Sequence, residues 1–172
     1  MNVLFLDIDG VMNSEEYYYA LPEAEMLAVP IDPACVKRLK YIVDRTGAKI
    51  VLSSSWRTGW DKDPARMKED GRILEKIFSE YDLTIYDKTP VSPLRKRTVE
   101  IDMWLKKHAG KVKRYVILDD CDYDWKDYGM GRHWVATDFA KSGLTDQKAE
   151  EVISLFTKSF LYFLPERLFR KH

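Results

Sequence analysis

Three short apolar runs in the sequence each end in a cluster of carboxylates or hydroxyls, which are side chains that can bind a cation or a phosphate. The clusters are Asp7 and Asp9, then Ser53, Ser54 and Ser55, and then Asp119 and Asp120. Apolar runs without polar alternation are typical of strands that a parallel sheet buries on both faces. Because open α/β sheets bind ligands at the carboxyl ends of their strands, we expect the three clusters to share one crevice.

The four carboxylates of this crevice would repel one another unless a cation lay among them. Oxygen ligands select a hard ion, and Mg²⁺ is the usual choice beside a phosphate. The pattern therefore predicts a Mg²⁺ site at which a phosphate group is bound. The alternative is that these acids are ordinary loop and capping residues, which we would prefer for a single pair of acids. Three clusters at three strand ends favour the metal site.

The elements that must position these clusters alternate between strands and helices. Strands are predicted at residues 3–6, 49–52, 83–86, 115–118 and 134–136, and helices at residues 33–46, around 73–78, at 97–108 and after Thr145. The first helix is the best marked, because Asp32 can cap its start and Gly47 follows its end. No element is assigned to residues 13–30 or 56–71. The alternation predicts an α/β fold with a Rossmann-like, mostly parallel sheet and helices on both faces, in one domain over residues 1–172.

The composition narrows the class of protein. The 172 residues suit one domain, and the 28 basic and 28 acidic residues cancel, so no overall field draws the protein to nucleic acid or to an anionic membrane. Cys35 and Cys121 are too few for a disulfide framework, and we interpret them as reduced residues of a cytoplasmic protein. No apolar run approaches the ~20 residues that span a bilayer, so no membrane association is expected.

The motifs, taken in order, resemble those of the haloacid dehalogenase (HAD) superfamily. Residues 4–11, LFLDIDGV, are similar to its first motif, residues 51–55, VLSSS, to its second, and residues 116–120, VILDD, together with Asp124, to its fourth. Further strings at residues 54–57, 100–108 and 143–145 resemble a narrower group, the HAD domains found in Swiss Army Knife RNA-repair proteins. The resemblance covers residues 2 to about 156 and implies a HAD-like fold.

The resemblance implies a role for each acid that matches a motif. Asp7 would be the nucleophile that forms an aspartyl-phosphate, and Asp9 would be the general acid and base. An aspartate at this second position accompanies phosphatases and phosphotransferases, whereas the haloalkanoate dehalogenases lack it. The implied Mg²⁺ ligands, direct or through water, are Asp7, Asp9 by its backbone carbonyl, Asp119, Asp120 and Asp124. Asp122 departs from the usual spacing and leaves the third acid of the fourth motif open.

The resemblance also implies which residues hold the phosphate. The implied substrate-binding residues are Gly10, Ser53, Ser55, Arg57 and Lys96, beside the catalytic pair Ser54 and Arg97. Two assignments stay open: Ser54 or else Ser53 supplies the hydroxyl of the second motif, and Arg97 or else Lys96 supplies the cation of the third. Arg57 would either bind a substrate phosphate or fix its own loop.

Superfamily members often carry a cap domain over the site, but this sequence has no room for a full one. The two usual insertion points, residues 13–31 and 56 to about 69, are too short to hold a domain with its own core. The site is therefore expected to be open, and the partner to be a phosphorylated small molecule or a nucleic-acid end. Phosphotransfer to an acceptor other than water, and binding of Mg²⁺ with a phosphorylated ligand but no turnover, are the alternatives. The sequence does not indicate the oligomeric state.

Aromatic and histidine residues near these motifs have less specific interpretations. The three tyrosines at positions 17–19 are expected to pack against the first helix, with stacking on a nucleobase as the alternative. Trp56 and Trp60 are expected near the crevice. His108 and His133 have no partner at metal-ligand spacing and are interpreted as surface or structural residues.

Overall fold

The computed structural model describes residues 1–22 and 31–158, which form a five-stranded sheet in the order β3-β2-β1-β4-β5. The strands are β1 (Asn2–Leu6), β2 (Lys49–Leu52), β3 (Ile85–Lys88), β4 (Arg114–Asp119) and β5 (Trp134–Ala136). Every neighbouring pair of strands is parallel. The predicted Rossmann-like α/β fold is therefore confirmed, and β1 lies at the centre of the sheet.

Within the described residues, four α-helices lie between strands and a fifth follows β5, and a capping side chain marks the start of three of them. They are α1 (Glu15–Ala20), α2 (Pro33–Thr46), α3 (Glu69–Ser79), α4 (Arg97–Lys107) and α5 (Asp146–Thr157). Asp32 accepts a hydrogen bond from the backbone N–H of Ala34 at the start of α2, and Gly47 ends that helix in the left-handed region. Thr145 caps α5 in the same way. The predicted bounds of α2 and the predicted start of α5 are confirmed.

The core lies on both faces of the sheet, as the unbroken apolar runs predict. Leu4 and Leu6 of β1 belong to the cluster that packs against α2, α3 and α5. Val3 and Phe5 belong to the opposite cluster, with Ile101 and other residues of α4. Because side chains alternate along a strand, Asp7 continues the row of Val3 and Phe5 and points to the α4 face.

The register of the three central strands brings their carboxyl ends level. Leu6 of β1 is paired with Leu52 of β2 and with Leu118 of β4. Just beyond, the N–H of Ser53 donates to the carbonyl of Leu6 at 2.8 Å, and the N–H of Asp7 donates to the carbonyl of Leu118 at 3.0 Å. The sheet therefore places the three polar clusters side by side.

Three elements differ by two or more residues from the sequence-based prediction. Helix α3 begins at Glu69, inside residues 56–71 to which no element was assigned. Helix α1 lies in residues to which no element was assigned, because it buries none of its residues and so shows no apolar periodicity. Strand β3 begins two residues later than predicted. Asp82 has a φ of 54° and the N–H of Leu83 bonds back to Phe78, so Leu83 fills the core as part of a turn rather than as a strand residue.

The insertions between strands and helices contain no cap domain in the part of the chain that the structure describes. The first holds the six-residue helix α1, and its residues 23–30 lie outside the described ranges. The second holds two single 3₁₀ turns, Ser55–Thr58 and Pro64–Arg66. Among the described helices, none combines the length and apolarity needed to cross a bilayer.

The tyrosine row at positions 17–19 does not enter the buried core, although the sequence predicted that it packs against α2. Tyr19 is 71% exposed, Tyr17 and Tyr18 are half-buried, and α1 contains no buried residue. Trp60, by contrast, is buried, and its indole N–H donates to Glu75 at 2.6 Å.

Candidate active site

Asp7 is a buried carboxylate at the carboxyl end of the central strand. It is 6% exposed, and its Oδ1 lies 3.2 Å from Nη1 of Arg97. Burial raises the pKa of Asp7, while the positive charge of Arg97 and a hydrogen bond from the Ser54 hydroxyl act in the opposite direction. Both contacts favour the ionised carboxylate, which is the form that can act as a nucleophile.

Arg97 is the first residue of α4 and contacts two acids at once. Its Nη1 lies 3.1 Å from Oδ2 of Asp119 as well as close to Asp7, and its guanidinium lies 5.2 Å from the ring centre of Tyr123. Burial lowers the pKa of Arg97, but the charges of Asp7 and Asp119 outweigh it and raise that pKa. The helix dipole disfavours a cation at the N-terminus of a helix. The two carboxylates therefore hold the Arg97 side chain in place.

Asp119 ends β4 and is more deeply buried than Asp7. Desolvation, reinforced by the negative charge of Asp7, raises the pKa of Asp119 to about 7, against the opposing effect of Arg97. Its Oδ1 accepts a hydrogen bond from the N–H of Cys121 at 3.0 Å. One arginine therefore faces two neighbouring carboxylates, and the excess charge is negative.

Asp120 adds a third carboxylate, packed against Gly10. Gly10 has a φ of 74°, and a Cβ at this position would lie 2.4 Å from the Asp120 carboxylate, so only glycine lets the acid come so close. One ligand atom each from Asp119, Asp120 and Cys121 lies within 4.8 Å of the others. The oxygen donors of this set fit a hard divalent cation, which would also balance the excess negative charge, whereas the sulfur of Cys121 does not suit such an ion.

Asp9 differs from the other acids because its carboxylate is exposed to solvent. Two side chains hold it: Nδ2 of Asn13 donates to Oδ1 at 3.1 Å, and Nε1 of Trp56 donates to Oδ2 at 3.1 Å. Oδ1 of Asn13 accepts in turn from the N–H of Gly10 at 2.8 Å. Sequence reasoning missed Asn13, although an asparagine just after a glycine turn commonly bonds the local backbone. The sequence predicted Trp56 near the crevice but did not indicate its contact with Asp9.

The three serines after β2 occupy three different environments. Ser54 is buried, its hydroxyl bonds to Asp7, and the hydroxyl oxygen accepts from the N–H of Trp56 at 3.3 Å. Ser53 is also buried, and its hydroxyl has no hydrogen-bond partner within the described residues. Ser55 is exposed at the start of a 3₁₀ turn. Ser53 and Ser54 therefore both remain candidates for the hydroxyl that holds a phosphoryl oxygen.

Two of the basic residues considered for phosphate binding are engaged elsewhere. Nη2 of Arg57 lies 2.7 Å from Oε2 of Glu100, and its Nη1 donates to the carbonyl of Ser54 at 2.6 Å. Arg57 thus fixes its own loop, which is the second of the two roles considered for it. Nζ of Lys96 lies 3.1 Å from Asp124 at an exposed position and does not contact Asp7. Of the two candidates for the third motif, the structure brings only Arg97 to Asp7.

The remaining acids and histidines have local partners. Asp124 pairs with Lys96, and Asp122 accepts from the N–H of Trp125, as a turn residue does. His108 stacks on Trp104, and His133 stacks on Tyr115 in the same way. Neither acid approaches Asp7 in a contact that would identify it as the third acid.

One comparison with known proteins identifies a family that the chain matches. Residues 3–149 match a family described as the HAD domain in Swiss Army Knife RNA repair proteins. No curated protein and no solved structure matches the chain. The matched range begins in β1, ends in α5 and includes every acid, serine and arginine of the site.

Proposed function

Because this chain belongs to the family of HAD domains in Swiss Army Knife RNA repair proteins, we propose that it is a phosphomonoesterase that works through a phosphorylated Asp7. The observation that carries the proposal is the contact of Arg97 with both Asp7 and Asp119 at the ends of the neighbouring strands β1 and β4. A carboxylate held beside a cation, with a second acid two residues later, is the arrangement that a covalent phosphoryl transfer needs.

The first step transfers the phosphoryl group to the protein. An oxygen of Asp7 attacks phosphorus while the bond from phosphorus to the ester oxygen breaks, and Asp9 gives its proton to the departing oxygen. Arg97 and the hydroxyl of Ser54, or that of Ser53, donate to the phosphoryl oxygens on which charge develops. Since Asp9 lies at the solvent-exposed rim, it can reach both the leaving group and bulk water.

The second step returns Asp7 to its starting state. The ionised Asp9 takes a proton from a water molecule, which attacks the phosphorus of the acyl-phosphate. The bond between phosphorus and the Asp7 oxygen breaks, and inorganic phosphate leaves. The same carboxylate thus serves as acid and then as base, which requires that it keep one position through both steps.

The side chains of Asp7, Asp119 and Asp120, with the backbone carbonyl of Asp9 and through water Asp124, would hold Mg²⁺. When bound, this ion neutralises negative charge on the phosphate and on the acids around it. Arg97 supplies the cation that belongs to the protein itself. We therefore propose Mg²⁺ as the cofactor.

We propose a phosphorylated nucleotide or nucleic-acid end as the substrate. Support comes from the family description, which names RNA repair, and from the absence of a cap domain within residues 1–22 and 31–158. A site that no cap closes can accept the end of a long chain. Small phosphate esters would also enter it, so they serve as test substrates.

The experiment is a Mg²⁺-dependent phosphate-release assay on three substrates: a phosphorylated oligonucleotide, a nucleoside monophosphate and nitrophenyl phosphate. We expect release from at least one of them, and we expect Asp7→Asn to abolish it while the thermal unfolding curve stays cooperative. Beryllium fluoride should form an adduct bonded to an oxygen of Asp7. Release that survives Asp7→Asn, or an adduct on another side chain, would refute the mechanism.

A further inference from the structure

The carboxylate of Asp9 is exposed, yet the structure holds it with a donor on each oxygen. Asn13 donates to Oδ1 and the indole N–H of Trp56 donates to Oδ2, both at 3.1 Å. An exposed aspartate without such donors moves between several rotamers. A carboxylate oxygen carries two lone-pair directions, so each oxygen of Asp9 keeps one of them available for proton transfer.

Both donors are themselves fixed, so they can set the position of Asp9. Asn13 is buried, and its own oxygen accepts from the N–H of Gly10. Trp56 is half-buried against the core, and its backbone is held in the 3₁₀ turn by Ser54 at one end and by the N–H of Gly59 at the other. The donors therefore lose little freedom when they bind the carboxylate.

The turn that carries Trp56 is capped by Ser54, whose hydroxyl bonds to Asp7. This short turn and its capping residue thus contact the two acids of the proposed reaction. From this juxtaposition we propose that Trp56 is a positioning residue: its indole N–H holds Asp9 where it can deliver a proton to the leaving oxygen and later take one from water. The inference rests on the proposed function.

The test replaces Trp56 by phenylalanine, which keeps an aromatic ring but removes the N–H. The control is Trp60→Phe, which removes a bond of the same kind, from an indole to Glu75, on the next stretch of the same loop. Two substrates are compared: an alkyl phosphate, whose leaving oxygen needs a proton, and nitrophenyl phosphate, whose leaving group departs without one. kcat/KM reports the reaction up to the departure of that group.

We expect Trp56→Phe to lower kcat/KM on the alkyl phosphate about tenfold, which is a fraction of the rate increase that general acid catalysis supplies. On nitrophenyl phosphate we expect kcat/KM to change less than about twofold. Trp60→Phe should leave the ratio of the kcat/KM values for the two substrates unchanged. A merely structural role would lower both values by the same factor, and that result, or no loss on either substrate, would overturn the proposal.

A second measurement keeps the proposal testable if Trp56→Phe does not fold. The measurement is the NMR signal of each tryptophan indole N–H. Between the wild-type protein and Asp9→Asn, the signal of Trp56 should shift, while that of Trp60 should not. An unchanged Trp56 signal would overturn the proposal whatever the kinetics show. If the wild-type protein releases no phosphate from any substrate, the proposed function fails, whereas the signal still decides whether Trp56 holds Asp9.

Discussion

Arg97 is the residue on which the charge balance of the site depends. Replacing it by alanine leaves Asp7 and Asp119 buried side by side without a cation, and breaking a buried pair in this way costs ~3–5 kcal/mol. We expect Arg97→Ala to lower the free energy of unfolding by about that amount in EDTA, and to lower kcat by ~10²–10³-fold as for other lost donors to developing charge. Urea unfolding and phosphate release measure the two effects.

The control for that substitution is Arg95→Ala. Arg95 lies two residues earlier and is exposed, and its side chain has no hydrogen bond or ion pair within the described residues. We expect its loss to leave the unfolding curve unchanged. Equal effects of the two substitutions would contradict the central place given to Arg97.

The raised pKa of Asp119 gives the metal-free protein a characteristic pH dependence. The folded-state value of about 7 lies above the ordinary value of 3.8, so between these two pH values the folded protein binds more protons than the unfolded chain. Stability therefore falls as pH rises from about 4 to 7. We expect Asp119→Asn to flatten this slope in EDTA, and urea unfolding at several pH values measures it. A slope that is the same in both proteins would contradict the burial argument.

The sequence could predict that Asp7, the serines after β2 and Asp119 meet, because each lies at the end of a recognisable strand. It could not choose between Lys96 and Arg97 at the start of α4. Adjacent residues at a helix start point in different directions, and only tertiary contacts show which of them faces the site. The hydrogen bond from Trp56 to Asp9 could likewise not be predicted, because the two residues are 47 positions apart along the chain.

At the scale of elements, the turn after β1 depends on Gly10. The backbone there is left-handed, and a Cβ would collide with the Asp120 carboxylate. We expect Gly10→Ala to lower the free energy of unfolding by ~1–3 kcal/mol through backbone strain. We also expect it to weaken Mg²⁺ affinity by ~10–100-fold, which is the usual effect of changing a residue that positions a metal ligand. Isothermal titration with Mg²⁺ measures the second effect.

The control Gly110→Ala separates the effect of backbone strain from that of a clash between the new Cβ and a neighbouring side chain. Gly110 has a φ of 77°, close to that of Gly10, but a Cβ there would meet nothing within 4 Å. This control should lose stability through strain while binding Mg²⁺ normally. If both substitutions weaken Mg²⁺ binding equally, the packing of Asp120 on Gly10 is not what positions that acid.

The helices with caps and an apolar face could be predicted best: α2 at both ends, and α5 at its start. Helix α1 could not, although Ser14 caps it with a bond from the N–H of Tyr17 at 3.2 Å. Its six residues bury nothing, so the periodicity that identifies a helix is absent. The displaced start of β3 has a similar cause: Leu83 has the apolar character of a strand residue, but the turn after α3 uses it to fill the core.

At the scale of the whole molecule, the order of the strands explains why one site forms. β1 lies between β2 and β4, so the acids after β1 have the serines on one side and Asp119 with Asp120 on the other. The helix α4 covers the face to which Asp7 points and supplies Arg97. What the described chain leaves uncovered is the rim, where Asp9 and α1 lie.

The exposed rim gives the last prediction, which concerns the size of the substrate. Helix α1 begins two residues after Asn13, which holds Asp9, and a helix rises only ~1.5 Å per residue, so Tyr19 stays close to the proposed site. Tyr19 is 71% exposed and its ring makes an edge contact with that of Tyr18, so it can still stack on a base. Stacking supplies ~1–3 kcal/mol per base, so Tyr19→Ala should lower kcat/KM on a phosphorylated oligonucleotide by ~5–150-fold. It should leave kcat/KM on nitrophenyl phosphate unchanged.

The control is Tyr86→Ala, which changes an exposed tyrosine of the edge strand β3. It should change kcat/KM on neither substrate. Equal activity of wild type and Tyr19→Ala on the oligonucleotide would leave the phosphatase in place but remove α1 as a contact for nucleic acid.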